Sequence, residues 1–289
     1  MKLASRRKKG CVVTYFAPTT LDDALKLLRD QPLDVVAGCT DYFPTRTQAP
    51  FTRGILDVSK IAGLQGISAL DDGIRIGAAT RWSDIARTTL PGSWAGLQAA
   101  ARQVGSLQIQ NAGTVGGNIC NASPAADGMP PLLTLNATVE IQGPNGVRHL
   151  PLAEFVTGVR QTDLQPGELV VALHIPNLPT HSHGAFEKLG SRRYLVISVT
   201  MVAVVIACDA AGRIEFARVA VGACSPVAQR LHDLEVNLIG QTAQEACITP
   251  DDLQGLSPIS DLRASAEFRL DAVAEQIRRA LLKASLTNG

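Results

Sequence analysis

A chain of 289 residues, 46% of them apolar, is long enough to bury the cores of two compact domains. Its 27 Lys and Arg nearly cancel its 26 Asp and Glu, a balance that excludes a field strong enough to recruit nucleic acid or an anionic membrane as principal partner. The longest apolar run, residues 196–207, is interrupted by Ser198 and Thr200 and is too short to span a bilayer; no apolar stretch follows Arg6, Arg7, Lys8 and Lys9 as an export signal requires, so a cytoplasmic protein with a solvated basic tail is expected.

In chain order, Thr19 or Thr20 predicts the cap of a helix with Asp22 and Asp23 in its first turn and Leu21, Ala24, Leu25 and Leu28 on one face; Asp30-Gln31-Pro32 ends it. The β-branched segment 33–37 predicts a strand delivering the chain into a first glycine loop, Gly38-Cys39-Thr40-Asp41. Residues 66–70 and 74–77 are expected to pair through Asp71-Asp72-Gly73, with a short helix begun by Thr80 or Ser83 after them. Trp94, Leu97, Ala101 and Val104 recur at helical spacing and are read as core packing. A second glycine loop follows, Asn111-Ala112-Gly113-Thr114-Val115-Gly116-Gly117-Asn118. Pro130 and Pro131 suit the first turn of a short helix around Leu132 and Leu135, and strands at 139–142 and 147–150 are expected to join across Gly143-Pro144-Asn145-Gly146.

Residues 177–182, polar and containing Pro179, mark a domain boundary. Beyond it, segments 185–189, 196–207 and 213–221 read as strands. The remainder reads as helical, closing in an amphipathic segment 265–284 that turns Phe268, Val273, Ile277 and Leu281 toward the core.

The six cysteines, Cys11, Cys39, Cys120, Cys208, Cys224 and Cys247, form no C-x-x-C pair, so any iron–sulfur cluster is expected on another chain and the thiols are read as buried and reduced. His181 and His183 flank one serine without an accompanying carboxylate or thiol pattern, and no metal site is expected.

The pyrophosphate of a dinucleotide needs several converging backbone N–H donors, which small residues allow to approach. Thr40 adds a hydroxyl and Asp41 a carboxylate to the first loop, while Thr114 and Asn118 flank Gly116-Gly117 in the second. Alone, a glycine-rich turn after a strand is commonly structural, and neither loop has the Rossmann G-x-G-x-x-G or Walker pattern.

Together, Ala37-Gly38-Cys39-Thr40-Asp41 and the later run from Asn111 through Asn118-Ile119-Cys120-Asn121-Ala122-Ser123-Pro124-Ala125-Ala126-Asp127 resemble the flavoprotein subunits of the xanthine dehydrogenase and carbon monoxide dehydrogenase family. The likeness extends to Leu56-Asp57-Val58-Ser59, Ile74-Arg75-Ile76-Gly77-Ala78, Leu169-Val170-Val171, Lys188-Leu189-Gly190-Ser191-Arg192-Arg193 and Arg263-Ala264-Ser265-Ala266-Glu267-Phe268-Arg269. It implies an α+β fold: a PCMH-like FAD-binding domain over 12–176, in subdomains 12–60 and 61–176, then a smaller domain of antiparallel sheet and helices over 183–286. By position it implies FAD contacts from Val35, Val36, Ala37, Gly38, Cys39, Thr40, Asp41, Ala112, Gly113, Thr114, Gly116, Gly117, Asn118, Asn121 and Asp127, with Val104, Val170 and Lys188 near the flavin ring. Many relatives have glycine where this chain has Cys39, so the loop must manage without a residue indifferent to positive φ.

The activity so implied is electron transfer in a molybdenum hydroxylase complex: from a [2Fe–2S] cluster on an iron–sulfur subunit, through FAD here, to NAD, oxygen or another acceptor. The molybdenum cofactor is expected on a third, molybdopterin-binding chain that chooses the substrate. Two alternatives stay open: a self-sufficient FAD-dependent oxidase, and a non-catalytic nucleotide-binding assembly module.

Overall fold

In the computed structural model, which describes residues 13–46, 50–192 and 196–286, the chain opens on a small parallel sheet. Arg6, Arg7, Lys8, Lys9, Cys11 and Arg193 lie outside the described residues. Strands β1 (Tyr15–Phe16) and β2 (Leu33–Val36) flank β3 (Gly54–Asp57), and helix α1 (Leu21–Asp30) makes the crossover. Of the two candidate caps, Thr20 serves: its hydroxyl accepts from the Asp23 N–H at 3.2 Å. Asp22 and Asp23 stand at the positive end of the helix dipole and Arg29 in its last turn. Ala24 packs with Leu33, Leu56, Ile61 and Leu64 in the first core.

Strand β2 ends at Val36, and after residues 37–41 the chain turns into α2 (Tyr42–Arg46), a helix too short to leave a periodic signature. Tyr42 donates to Asp34 at 2.6 Å, and Arg46 reaches the same carboxylate at 3.2 Å while lying over the Tyr42 and Phe51 rings. These contacts tie α2 to β2.

A five-stranded antiparallel sheet follows, in the spatial order β4 (Ile67–Leu70), β5 (Gly73–Gly77), β10 (Leu169–Pro176), β6 (Thr138–Gly143) and β7 (Gly146–Pro151). Both expected hairpins form, with Gly73 inside β5 because a Cβ there would meet the Ile175 carbonyl oxygen at 2.0 Å. A register shift between Val170 and Ala172 lets β10 serve two cores: Leu169 and Val171 join the first, Val170, Leu173 and Ile175 the second.

Between β5 and β6 run α3 (Trp82–Arg87), α4 (Ala95–Ala101), α5 (Leu107–Ala112), α6 (Val115–Asn121) and α7 (Met129–Thr134); α8 (Leu152–Phe155) and the ribbon of β8 (Val156–Gly158) and β9 (Gln161–Thr162) follow β7. Neither Thr80 nor Ser83 caps α3: Ser83 is buried inside it, and the Thr80 hydroxyl donates to the Gly66 carbonyl. Trp94, Leu97 and Ala101 pack inward as expected, but α4 stops at Ala101 and Val104 lies beyond it.

The C-terminal sheet runs β11 (His183–Leu189), β12 (Thr200–Cys208), β13 (Ile214–Gly222) and β14 (Gln229–Arg230). Strand β12 is buried on both faces. Met201 and Ala203 meet Ala100 and Phe186 on one side, and Val202, Val204 and Ile206 join the core of α10 (Ala266–Ser285) on the other. An unbroken apolar run is the expected signature of such a strand. It begins at Thr200 rather than residue 196; Ser198 is instead held by its hydroxyl on Asp127 at 2.6 Å.

After β14 the chain is less helical than expected. Only α9 (His232–Asn237), a 3-10 turn at Pro250–Leu253 and α10 form, since Gly240, Pro250, Gly255 and Pro258 interrupt the rest. Val273, Ile277 and Leu281 are buried in α10 as expected, but Phe268 is 52% exposed. The inward position belongs to its neighbour Arg269, which is 1% exposed and donates to the carbonyls of Val199 and Ala223 and, at 2.8 Å, to Asp261. No described helix is long and apolar enough to cross a membrane.

Arg269 therefore holds the start of β12, the end of β13 and the lead-in to α10 with one buried cation. Replacing it with Met leaves the Val199 and Ala223 carbonyls without their donor, while Asp261 is partly exposed to solvent, and should lower unfolding free energy by about 1–3 kcal/mol. Urea midpoints at unchanged slope measure the loss.

Candidate functional site

Residues 35–41 and the α5–α6 region enclose a cavity of about 320 Å³. The two walls touch at one point: a Cβ on Gly38 would lie 2.0 Å from the Ala112 carbonyl oxygen, so only glycine permits this approach. Gly113 stands over Thr40 and Trp82, whose nearest atoms would be 3.5 Å from a Cβ there.

The first wall matches its expectation as an irregular glycine-bearing turn. Among the described residues, the N–H groups of Gly38, Cys39, Thr40 and Asp41 have no backbone acceptor, so four consecutive donors border the cavity unspent. Cys39 adopts φ 57°, the left-handed conformation that glycine takes without strain. Its thiol contacts the Ala37 carbonyl at 3.5 Å, and burial, with the nearby Asp57 charge, pushes its pKa up.

The second wall differs from expectation. Residues 111–118 are not a loop of bare backbone: α5 ends at Ala112, Gly113 and Thr114 make a tight turn, and Gly116, Gly117 and Asn118 lie in the first turns of α6. Thr114 caps that helix, accepting from the Gly117 N–H at 3.1 Å. Val115 N–H is spent on the Thr80 carbonyl at 3.0 Å, Gly116 on Ala78 at 2.8 Å and Asn118 on Thr114 at 3.0 Å. The Asn118 side chain lines the cavity, but its Oδ1 is turned into the protein, buried without a hydrogen-bond partner and 2.8 Å from where a Cβ on Gly128 would lie. Asn121 also lines the cavity, its side-chain and main-chain oxygens both accepting from Arg160.

Thirteen of the predicted residues line the cavity: 35–41, Val104, Gly113, Thr114, Gly117, Asn118 and Asn121. Ala112 marks the contact between the walls, and Gly116 sits behind the lining, where a Cβ would be 2.6 Å from the Ala78 carbonyl oxygen. Val170 is in the core, 3% exposed, because the β10 register turns it inward. Asp127 and Lys188 lie off the cavity in a buried ion pair of 2.6 Å, Lys188 also donating to the Gln103 carbonyl. Burial raises the Asp127 pKa against the opposing pull of Lys188 and Ser198. Tyr42, Thr45, Trp82, Ile109 and Cys120 complete the lining and escaped the sequence reading. For Tyr42 and Thr45 the signal was adjacency to the first loop; Trp82 and Ile109 arrive by tertiary packing.

An irregular segment with unspent amides opposite a capped helix, and a C-terminal antiparallel sheet, are the features against which known proteins compare. Residues 9–178 match the family described as the FAD binding domain in molybdopterin dehydrogenase, and residues 185–284 the CO dehydrogenase flavoprotein C-terminal domain. The chain belongs to this flavoprotein family.

Its relatives include the xanthine dehydrogenase FAD-binding subunit of Escherichia coli O157:H7, 34% identical over 96% of this chain and 97% of that protein. The carbon monoxide dehydrogenase medium chain of Hydrogenophaga pseudoflava is 26% identical over 92% of this chain and 95% of its own length. Among solved structures, quinoline 2-oxidoreductase from Pseudomonas putida 86 superposes with a TM-score of 0.85 at 26% identity, covering 97% of this chain and 99% of that one. The flavoprotein is thus an oxidoreductase component with a two-domain FAD-binding fold.

Two outcomes follow from this geometry. Cys39→Gly relieves the left-handed strain and should stabilise the flavoprotein by roughly 0.5–1 kcal/mol after the greater chain entropy of glycine is subtracted, read as a raised urea midpoint. Lys188→Met leaves Asp127 buried without its cation, driving that carboxyl's pKa further up. A raised folded-state pKa favours the native state at low pH and works against it as pH rises, so this variant's stability deficit should be larger at neutral than at mildly acidic pH in paired denaturation curves.

Proposed function

We propose that this flavoprotein holds FAD in the cavity between residues 35–41 and α5–α6, and carries electrons from a [2Fe–2S] cluster on an iron–sulfur partner to NAD, oxygen or another acceptor. The molybdenum cofactor and the choice of organic substrate belong, in this reading, to a third chain. The observation that carries the proposal is the run of four unspent N–H donors from Gly38 to Asp41 beside the cavity. A diphosphate is the part of FAD that consumes such donors. The Asp41 carboxylate, in the same wall, fits the same molecule, since ribityl and ribose hydroxyls are donors. The residues present therefore fit the cofactor.

Within this reading Gly38 keeps the walls close enough for main-chain donation, Asp41 accepts from a sugar hydroxyl, and Asn118 lines the α6 side. Val104 and Ile109 supply apolar surface at the ring end and keep water from it. Asn121, held by Arg160, closes the side near α6. Asp127 and Lys188 support the cavity from behind, and Val170 buttresses the sheet beneath it. Flavin supplies the redox chemistry itself, exchanging electrons singly with a cluster and in pairs with an acceptor such as NAD. The domain limits expected from the sequence, 12–176 and 183–286, are retained, the first being the cofactor domain.

Relatives named as the nicotine 6-hydroxylase medium subunit and the 6-hydroxypseudooxynicotine dehydrogenase complex subunit alpha belong to assemblies, which supports partner chains here. Free thiols at Cys39, Cys120, Cys224 and Cys247 support a reducing, cytoplasmic setting.

The test is purification of the flavoprotein with its co-expressed partners. One FAD per chain is expected by absorbance, bleached by an organic substrate only when the partners are present. Gly38→Ala should lose the flavin while Gly63→Ala, where an added Cβ meets nothing within 4 Å, keeps it. Flavin bleached by an organic substrate with the lone chain would make it a self-sufficient oxidase, and an assembled complex from which denaturation releases no FAD would end the FAD reading.

A further inference from the structure

On the five-stranded sheet, away from the cavity, register brings together side chains that lie far apart in sequence. Glu140 on β6 is the Cα partner of His149 on β7, and His174 on β10 is the partner of Arg75 on β5. The bulge in β10 carries His174 within 2.6 Å of the Glu140 carboxylate. The His149 and His174 rings meet edge to face with centroids 5.3 Å apart.

We propose that Glu140, His149 and His174 form a binding site for one first-row divalent cation, zinc foremost. One ligand atom from each of the three lies within 4.8 Å of the others. A tetrahedral zinc with bonds of ~2.0–2.2 Å holds its ligand atoms roughly 3.3 Å apart, so small rotations close the set. His149 is exposed and free to make the largest adjustment, and Glu140 and His174 are half-buried and already in contact.

The donor set decides the class of cation. Two imidazoles and one carboxylate suit zinc, nickel or copper; calcium and magnesium require oxygen ligands in greater number. Three protein ligands leave a coordination position for water or a small anion, and the site opens onto a cavity of about 510 Å³ lined also by Asn136 and Thr138. Among the described residues Arg75 is an adverse charge at the site. Its Nε donates to Glu140 Oε2 at 3.1 Å, which costs affinity by repulsion but also fixes the carboxylate and keeps it ionised, as outer-sphere donors to metal ligands do.

Titrating the flavin-loaded full chain with zinc chloride by calorimetry and native mass spectrometry tests the proposal. One zinc per chain is expected at equimolar metal. His149→Ala and His174→Ala should each weaken uptake at least tenfold, with His181→Ala and Cys247→Ser unchanged. His149 is exposed, so its replacement decides the matter even if the His174 variant fails to fold. As an independent readout, zinc should protect His149 and His174 from diethylpyrocarbonate while His181 stays reactive. Absence of uptake at equimolar metal, or uptake indifferent to His149→Ala, overturns the proposal.

Discussion

The approach of Gly38 to the Ala112 carbonyl is the constraint on which the cavity depends. It joins the end of a parallel strand to the turn between two short helices, and it is a contact of backbone with backbone that no side chain at residue 38 survives. Once it forms, the walls are set. Residues beyond Gly38 curl through a left-handed Cys39 into α2, and Gly113 is left over Thr40 and Trp82. Strain at Cys39 persists because its surroundings overdetermine it: Tyr42, Arg46 and Asp34 hold the outgoing helix on the strand it came from.

The same contact divides labour between the walls. Helix α6 spends its early amides on Thr114, Thr80 and Ala78, which satisfies its N-terminus without any ligand. Among the described lining residues, a run of left-over donors occurs on the irregular wall, against the single N–H of Thr114 on the other. A regular helix face supplies position; an irregular turn supplies amides. In the proposed reading, a ligand that is anionic in the middle and hydroxylated on either side of it uses both walls.

How far the sequence could be read follows from the range of the forces involved. The first wall was legible because its causes are local: a β-branched strand, then glycine. The second was misread as a loop for a physical reason. Paired glycines weaken helix propensity by about 1 kcal/mol each, and only a tertiary gain, the packing of Gly116 on Ala78 beneath a Thr114 cap, offsets that penalty. Phe268 failed similarly: helical periodicity puts an apolar residue inward, but a buried cation with three acceptors took the inner position one residue later. The Glu140, His149 and His174 cluster was beyond sequence reading altogether, since it exists only through the register of three strands and one bulge.

The buried pair of Asp127 and Lys188 changes what electrostatics this fold can bring to a flavin. The family resemblance implies that Lys188 stands near the flavin ring, where a free cation would stabilise the charge that appears on reduction. With its ammonium 2.6 Å from a carboxylate that also accepts from Ser198, the unit presents a dipole rather than a net positive charge, and a dipole's influence falls off faster with distance. Its members come from the segment before α7, from β11 and from the approach to β12, so the pair spans both domains. Buried ion pairs of this kind add little net stability over apolar contacts, yet they penalise every arrangement in which one partner is left alone. The pair is thus better suited to fixing the angle between the domains than to tuning a redox potential, and positive potential at the cavity comes from groups nearer to it, the amides of residues 38–41 and the Arg160 guanidinium on Asn121.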